Sequence, residues 1–341
     1  MDKRIQIGLI GGGMFGANHI ETIRRDGRAE VRWVCDRHEP SLVAIQDKYE
    51  VVRGTTDYHK VLEDPEVDAV IVVTPPFTHA EIATDVLRAG KHLLIEKPMA
   101  VNRAEVQAII AEKGKHPELV VLEGSCRHSR LQPKFDFVKA MIDAGKLGDV
   151  YHIHHNFLTP ATFLDWNPKA TWALDKKLAG GGPIFDWGEY DLSFHLGILG
   201  DKPELQKVEA FHMGNLRQSP GNVEQHAAAY LTFDTGLTYY YERGAGVHCE
   251  VGSETRIYGT KGGLKFSYLT WESPKIEYYF EDSDGKPEKE ILEVDMSDHP
   301  ESDNIPLIMH FIDCLQGKAG PRMPVELAAK HLDILMRILE A

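Results

Sequence analysis

The chain has 341 residues, of which 43% are hydrophobic and 26% charged, a composition typical of a globular protein with about two domains. The formal net charge of −14 argues against nonspecific binding to nucleic acid or to an anionic membrane surface. No apolar run approaches the roughly 20 residues that cross a bilayer. The first apolar strand begins by Ile5, which leaves no room for a signal peptide. These features predict a cytoplasmic protein with neither a nucleic-acid nor a membrane partner.

Cysteine and histidine patterns give no sign of a metal site. The cysteines at positions 35, 126, 249 and 314 are widely spaced and form no C-x-x-C pair, so we expect no disulfide framework and a reducing compartment. His152 and His154 share one face of a predicted strand and His155 lies on the other. None of these groups has recognised metal-ligand spacing, and we predict no bound metal.

A glycine-rich loop follows the first predicted strand. Gly11, Gly13 and Gly16 fit G-x-G-x-x-G between an apolar run and a helical pattern. In a dinucleotide-binding fold the first glycine permits a tight turn, the second lets the backbone approach a pyrophosphate, and the third lets the helix pack on the strand. Free N–H groups at the helix start then face the phosphate charge. We assign this loop to the cofactor site, including Met14 and Phe15 within the motif.

A second predicted strand ends at Asp36, which lies 20 residues after Gly16. A carboxylate at this point accepts hydrogen bonds from the ribose hydroxyls of adenosine and repels the 2′-phosphate of NADP. Arg37 leaves NADP open, because arginine can hold a 2′-phosphate or stack on adenine. We predict NAD as the cofactor, with Asp36 and Arg37 at its adenosine end.

Strand and helix patterns alternate up to about residue 124, which predicts a doubly wound parallel sheet. Residues 68–74 are almost continuously apolar, as expected for a strand buried on both faces. A further strand over 91–95 leads into Glu96, Lys97 and Pro98. Ligands bind at the carboxyl ends of such strands, so we expect Lys97 near the nicotinamide. A nearby positive charge and a partly dry pocket would lower the lysine pKa and suit it to proton exchange with a hydroxyl.

The pattern changes after residue 124. Seven or eight strand-like runs lie between residues 207 and 294, and short turns between them predict an antiparallel sheet. The predicted fold is therefore α/β, with an NAD(P)-binding Rossmann domain at 1–124 and an α+β domain with a large open antiparallel sheet at 125–341. We predict that the uncovered face of this sheet mediates self-association.

The sequence resembles the Gfo/Idh/MocA oxidoreductases over nearly its whole length. The resemblance is carried by the glycine loop, Thr74-Pro75-Pro76 followed by His79, Gly90-Lys91-His92 leading into Glu96-Lys97-Pro98, and Gly180-Gly181-Gly182 preceding Asp186. It implies a Rossmann domain and an open sheet that often forms the interface of a dimer or tetramer. It also implies NAD(P)-dependent oxidation or reduction of a sugar or polyol hydroxyl.

The resemblance also implies roles for individual residues. In the family, the lysine that matches Lys97 links the substrate hydroxyl to the nicotinamide ribose, and an aspartate matches Asp186. Tyr190 stands where many members have a histidine, one helical turn after Asp186 and on the same helix face. Whether Lys97 or Tyr190 moves the proton stays open. Arg127 and Trp172 match positions near cofactor or substrate, and the further cofactor positions are Thr74, Pro75, Pro76, His79 and Glu96.

One departure from the family pattern and one weaker candidate accompany these assignments. Ser193 stands where the family often has an aspartate, and we interpret the nearby His195 as a packing residue of the helix. Trp166 is a second tryptophan of the same loop as Trp172 and is the weaker substrate candidate.

We therefore predict an NAD-dependent oxidoreductase that transfers a hydride between nicotinamide and a secondary hydroxyl or carbonyl of a sugar, sugar derivative or cyclic polyol. The predicted catalytic residues are Lys97, Asp186 and Tyr190. One alternative is transient oxidation by bound NAD, which would permit glycoside cleavage or elimination with no net NADH. Another is a non-catalytic nucleotide-binding regulator, although relatives of that kind tend to lose the lysine that is present here as Lys97.

Overall fold

A computed structural model of the chain describes residues 4–216 and 221–341, which fall into two compact units. The first unit runs to Arg127 and also includes Pro300–Ala329. The second comprises His128–His299 and Lys330–Ala341. Among these described residues, no helix is both long and apolar enough to cross a membrane.

The first unit contains a six-stranded parallel sheet in the order β3-β2-β1-β4-β5-β6. Its strands are β1 (Ile5–Ile10), β2 (Ala29–Cys35), β3 (Arg53–Thr55), β4 (Ala69–Val72), β5 (His92–Ile95) and β6 (Val121–Glu123). The connecting helices are α1 (Met14–Asp26), α2 (Glu39–Tyr49), α3 (His59–Glu63), α4 (His79–Arg88) and α5 (Arg103–Lys115). The predicted parallel sheet is confirmed, and its strand order reverses between β1 and β4, where sheets of this kind bind ligands.

The second unit contains an eight-stranded sheet in the order β14-β13-β12-β11-β7-β10-β9-β8. Its strands are β7 (Val150–Thr159), β8 (Leu205–Gly214), β9 (Glu224–Phe233), β10 (Thr238–Ala245), β11 (Val251–Gly259), β12 (Gly262–Phe266), β13 (Lys275–Glu281) and β14 (Pro287–Glu293). The helices that follow β6 in the chain are α6 (Pro133–Asp143), α7 (Phe163–Trp166), α8 (Lys176–Ala179), α9 (Pro183–Gly197), α10 (Asn304–Leu315) and α11 (Val325–Ile338), of which α10 belongs to the first unit.

The prediction of a large antiparallel sheet is confirmed with one exception. Strand β7 precedes α9 in the chain but inserts between β10 and β11, so it pairs parallel with β10 and antiparallel with β11. Turn chemistry governs only strands that are neighbours in sequence, and it therefore carries no information on this long-range pairing. The inner face of the sheet packs with α6 and α9 in a core that includes Phe135, Phe194 and Phe266.

The sequence predicts that the first domain ends at residue 124. In the structure the first unit runs to Arg127, and residues 300–329 also belong to it. Helix α10 packs against α1, and the backbone N–H of Glu123 donates to the carbonyl of Met323 at 3.0 Å. This contact extends the edge of the first sheet at β6. The helical periodicity of α10 is a local property, so it does not reveal which sheet the helix packs on.

Candidate active site

The glycine loop joins β1 to α1 with a different geometry at each glycine. Gly11 has a φ of 111°, and a Cβ there would lie 2.7 Å from the carbonyl oxygen of Val73. A Cβ on Gly16 would lie 2.2 Å from the carbonyl oxygen of Gly11. By contrast, a Cβ on Gly13 would have no heavy atom within 4 Å. The first and third glycines are therefore required by the fold, whereas the second leaves open space at the start of α1, where a phosphate group would approach.

The carboxylate of Asp36 is held against this loop. Its Oδ2 accepts a hydrogen bond from the N–H of Gly12 and its Oδ1 accepts one from the N–H of His38, both at 2.7 Å. Each oxygen keeps a further lone pair for a ribose hydroxyl. Arg37 is exposed. An open cradle at Gly13 and a fixed carboxylate at the end of β2 fit the pyrophosphate and the adenosine ribose of NAD.

The carboxyl ends of β4 and β5 are tied together by His79, the first residue of α4. Its ring is 1% exposed, with Nδ1 2.8 Å from the carbonyl oxygen of Pro98 and Nε2 2.7 Å from that of Thr74. Burial lowers the pKa of His79, and its contacts with the two carbonyl oxygens act in the opposite direction. Pro75 is partly buried and Pro76 is buried beside Thr74. The ring of His79 therefore fixes the two loops that follow β4 and β5.

Glu96 and Arg127 form a buried ion pair directly after β5. Oε1 of Glu96 accepts a hydrogen bond from Nη1 of Arg127 at 2.6 Å and lies 3.2 Å from Nε2 of His19. Burial disfavours ionisation of Glu96, but the charge of Arg127 and the contact with His19 hold its pKa below the usual value. Arg127 also donates to Oδ1 of Asn304 at 3.1 Å. The resemblance assigns Glu96 to the cofactor and Arg127 to cofactor or substrate, and here the two side chains bind each other.

Lys97 lies at the carboxyl edge of the sheet, partly buried and joined to Pro98 by a cis peptide bond. Burial raises the pKa of Glu123 to about 7, and the positive charge of Lys97 acts in the opposite direction, as it also does against the effect of burial on Glu96. Ligands bind at this edge of a doubly wound sheet, so Lys97 is placed where a cofactor or substrate would approach. The predicted lowering of the Lys97 pKa stays a prediction. Glu123 and His19 were not identified from the sequence, because each looks there like an ordinary strand or helix residue.

In the second unit, helix α9 begins immediately after the three glycines. The carboxylate of Glu224 accepts hydrogen bonds from the N–H of Gly182 at 2.7 Å and of Ile184 at 3.2 Å, which satisfies the start of the helix. A Cβ on Gly182 would lie 1.9 Å from the carbonyl oxygen of Glu224, so a side chain there is excluded. Asp186 is partly buried in the first turn of α9.

Tyr190 lies one turn after Asp186 and is 1% exposed. Its ring packs against Trp187 at a centroid distance of 5.3 Å and edge-on against His128 at 4.7 Å. Trp271 in turn packs edge-on against His128 at 5.4 Å. This aromatic cluster fixes the orientation of Tyr190.

A buried polar network supports α9 from its inner side. Asp191 accepts hydrogen bonds from Nε and Nη2 of Arg243 at 2.7 and 2.8 Å, from the hydroxyl of Tyr241 at 2.8 Å, and from that of Tyr268 at 2.6 Å. His195 lies between the hydroxyls of Tyr239 and Thr255. His195 is therefore a fully buried packing residue, as predicted, whereas the role of Asp191 was not anticipated.

The two loop tryptophans differ in their surroundings. Trp172 is partly buried and its ring lies 6.0 Å from that of Phe163, whereas Trp166 is 73% exposed. The segment that carries both tryptophans contains α7, α8 and a short helical turn at Thr171–Leu174. Within the described ranges, no group of three or more histidine, cysteine or acidic side chains is arranged to hold a metal ion.

Comparison with known proteins matches two family models to this chain. Residues 5–123 match an oxidoreductase family described by its NAD-binding Rossmann fold, and residues 135–265 match the GFO/IDH/MocA C-terminal domain. The chain is 27% identical to the myo-inositol 2-dehydrogenase of Thermotoga maritima over 76% of this chain and 74% of that protein. It is 24% identical to the levoglucosan dehydrogenase of Pseudarthrobacter phenanthrenivorans, over 83% of this chain and 78% of that protein.

Solved structures share the fold over nearly the full length. A levoglucosan dehydrogenase in complex with NADH and levoglucosan aligns with a TM-score of 0.84 at 20% identity, covering 99% of this chain and 97% of the other. An oxidoreductase domain protein from Kribbella flavida also aligns with a TM-score of 0.84, at 22% identity, covering 99% and 96% of the two chains. At these identities the likeness establishes the fold, and the first unit is an NAD-binding Rossmann domain by its family match.

Proposed function

The chain belongs to the Gfo/Idh/MocA oxidoreductase family, and from this premise we propose that it oxidises a secondary hydroxyl of a sugar, sugar derivative or cyclic polyol with NAD. The observation that carries the proposal is Lys97, which lies two residues after the end of β5 at the ligand-binding edge of the sheet that also carries the glycine loop and Asp36. The names of the related inositol and levoglucosan dehydrogenases support this substrate class.

In this proposal, NAD supplies the hydride acceptor. Gly13 and the start of α1 hold its pyrophosphate, and Asp36 holds the adenosine ribose. Lys97 takes the proton of the substrate hydroxyl, a role supported by its place at the ligand-binding edge of the sheet, where a cofactor would approach. Trp172 lies against the substrate.

For the second domain we propose substrate binding by Asp186 and Tyr190, which share one helix face. The aromatic cluster around Tyr190 supports a fixed orientation of its hydroxyl. Tyr190 would donate a hydrogen bond to the reacting oxygen, and Asp186 would accept one from a neighbouring hydroxyl. Replacing Tyr190 by phenylalanine removes only the hydroxyl and keeps the packing.

The experiment that tests this function is a substrate screen. Aldoses, inositols, sugar acids and glycosides are each incubated with NAD or NADP, while nicotinamide absorbance and the products are recorded. We expect NADH formation with at least one secondary alcohol, and faster turnover with NAD than with NADP. Glycoside cleavage that needs only catalytic NAD and yields no net NADH would instead establish the transient-oxidation alternative.

We also propose that the chain self-associates through the outer face of the second sheet. The register places His154 beside Tyr240, and Tyr240 beside Tyr230, on this face. Tyr230 and Phe211 are 42% and 50% exposed, so the face offers aromatic surface to a second copy. Light scattering at micromolar concentration should give the mass of a dimer or tetramer, and a monomeric mass would contradict the proposal.

A cytoplasmic location stays part of the proposal. None of the four cysteines, all of which lie in the described ranges, is in a disulfide, and three of them are buried. Thiols outside disulfides fit a reducing compartment.

A further inference from the structure

One exposed aromatic side chain of the second unit has no part in the function proposed above. Trp271 lies in the segment between β12 and β13 and is 57% exposed. Its indole ring packs edge-on against His128 and lies 6.2 Å from the ring of Trp187. Both of those rings also pack against Tyr190. All four residues belong to the second unit, so the aromatic cluster runs without a break from the buried Tyr190 to the exposed Trp271.

Hydrogen bonds hold the segment in place on both sides of Trp271. Lys134 of α6 is fully buried. Its amine donates hydrogen bonds to the carbonyl oxygens of Ser267, Leu269 and Glu272, at 3.1, 2.6 and 3.4 Å. A buried ammonium group is costly unless its hydrogen bonds are satisfied, so these carbonyls are strongly constrained. The exposure of Trp271 is therefore a fixed property of the fold.

A fixed and exposed indole is well suited to binding a sugar. Indole rings bury a large area when a ligand covers them, and the CH groups of a sugar ring form an apolar face that fits an indole. Stacking on a ring that is already held in place costs little conformational entropy of the protein. The cluster thus offers an apolar platform beside Tyr190, for which substrate binding is proposed above.

The position of Trp271 determines what kind of ligand it can contact. His128 packs against Tyr190 at a centroid distance of 4.7 Å and against Trp271 at 5.4 Å, so it bridges the two rings. A sugar whose reacting hydroxyl is bound by Tyr190 must therefore extend past His128 to reach Trp271. A second ring, joined to the first by a glycosidic bond, provides this extension. A glycoside also keeps the secondary hydroxyls that the proposed oxidation needs.

We propose that Trp271 forms an outer subsite of the substrate site and stacks on the second ring of a glycoside, so that the protein prefers a glycoside to the corresponding free sugar or polyol. The inference rests on the proposed function, in which Asp186 and Tyr190 bind the ring that is oxidised. Oxidation takes place at a secondary hydroxyl of this first ring, and the glycosidic bond stays intact. No bond to Trp271 is made or broken.

The test is isothermal titration calorimetry of the NADH-saturated protein with matched pairs of ligands. The pairs are glucose and cellobiose, xylose and xylobiose, galactose and lactose, and myo-inositol and galactinol. For at least one pair we expect the wild type to bind the two-ring ligand about tenfold more tightly than the one-ring ligand. Trp271→Ala should remove this preference, and Trp271→Phe should keep part of it. The dissociation constant for NADH should change by less than about twofold in both variants.

Tyr279→Ala is the matched control, because Tyr279 is an exposed aromatic residue of β13 in the same sheet. This variant should keep the wild-type preference. An equal preference in the wild type and Trp271→Ala, or no preference for the two-ring ligand in any pair, would overturn the inference. A lower mass of Trp271→Ala in light scattering, with unchanged binding of every ligand, would also overturn it and would assign Trp271 to a contact between copies of the chain.

Turnover of the same ligands with NAD separates this inference from the proposed function. Trp271→Ala should raise KM for the two-ring ligand about tenfold and leave kcat within about twofold, because the indole contacts the second ring and not the reacting carbon. Binding that depends on Trp271 but yields no NADH with any ligand would support the subsite and contradict the proposed oxidation. NADH formation with the same KM in the wild type and Trp271→Ala would contradict the subsite alone.

Discussion

Replacement of Asp191 by asparagine should destabilise the second unit strongly. Asp191 is 0% exposed, and both of its oxygens accept hydrogen bonds from the guanidinium of Arg243. An asparagine would therefore direct its NH₂ group at an N–H of Arg243, whichever way it is turned. It would also leave the arginine charge buried without a counter-charge. Breaking a buried ion pair by removing one partner costs about 3–5 kcal/mol, which sets the expected loss in the free energy of unfolding.

The pH dependence of this loss follows from the pKa of Asp191. Burial opposes its ionisation, but the charges of Arg243 and His155 hold the pKa well below the usual value for aspartate. A carboxyl group whose pKa is lowered by folding stabilises the folded state above its unfolded-state pKa of about 3.9. That contribution is lost as the pH falls below about 4 toward the folded-state pKa. The difference in the free energy of unfolding between the wild type and Asp191→Asn should therefore be largest near pH 7 and become smaller as the pH falls below about 4.

Urea unfolding, followed by circular dichroism and tryptophan fluorescence at pH 7, measures this loss. Asp143→Asn is the matched control, because Asp143 forms an exposed pair with Lys139 four residues earlier and should contribute only about 0.5 kcal/mol. The double variant Asp191→Asn/Arg243→Met should be more stable than the sum of the single variants predicts. A loss below about 1 kcal/mol in Asp191→Asn would show that the folded state does not depend on the charge of Asp191 to balance Arg243.

Three further predictions concern the cofactor and the reaction. Gly13→Ala should leave the melting temperature unchanged, because Gly13 has a φ of −77° and open space around it. The same variant should raise the NADH dissociation constant about tenfold. Gly16→Ala should instead lower the melting temperature, because its Cβ would clash with the carbonyl oxygen of Gly11. Asp36→Asn should shift the ratio of NADH to NADPH affinity toward NADPH by about tenfold, measured by fluorescence titration, and an unchanged ratio would remove Asp36 from cofactor selection. Tyr190→Phe should slow turnover at least about tenfold with NADH affinity retained; equal turnover in stopped-flow assays would exclude its hydroxyl from the reaction.

Local sequence patterns were sufficient to predict much of the fold of the first unit. The glycine loop and the nearly continuous apolar run before Thr74 are local consequences of strand, turn and helix chemistry, and they predict a parallel sheet with a dinucleotide edge. The side-chain partners at that edge are long-range. Glu96 and Arg127 are 31 residues apart in sequence, and nothing local shows that their charges are paired.

The same limit applies to the second unit. Asp191 was not distinguished from other polar positions of α9, because its partners Tyr241, Arg243 and Tyr268 lie 50, 52 and 77 residues away. The family resemblance supplied Asp186 and Tyr190, which periodicity alone does not distinguish from core residues of an amphipathic helix. Sequence patterns thus predicted which elements form, whereas tertiary pairing determines which of their polar side chains are engaged.

In the proposed function, this chain catalyses NAD-dependent oxidation of a secondary hydroxyl with Lys97 as the proton acceptor. The most direct measurement compares wild type with Lys97→Ala, using the best alcohol from the substrate screen, and Lys60→Ala as an exposed-lysine control. We expect Lys97→Ala still to bind NADH but to form it at least about tenfold more slowly in the assay, and Lys60→Ala to match the wild type. Wild-type turnover in Lys97→Ala would exclude Lys97 as the proton acceptor.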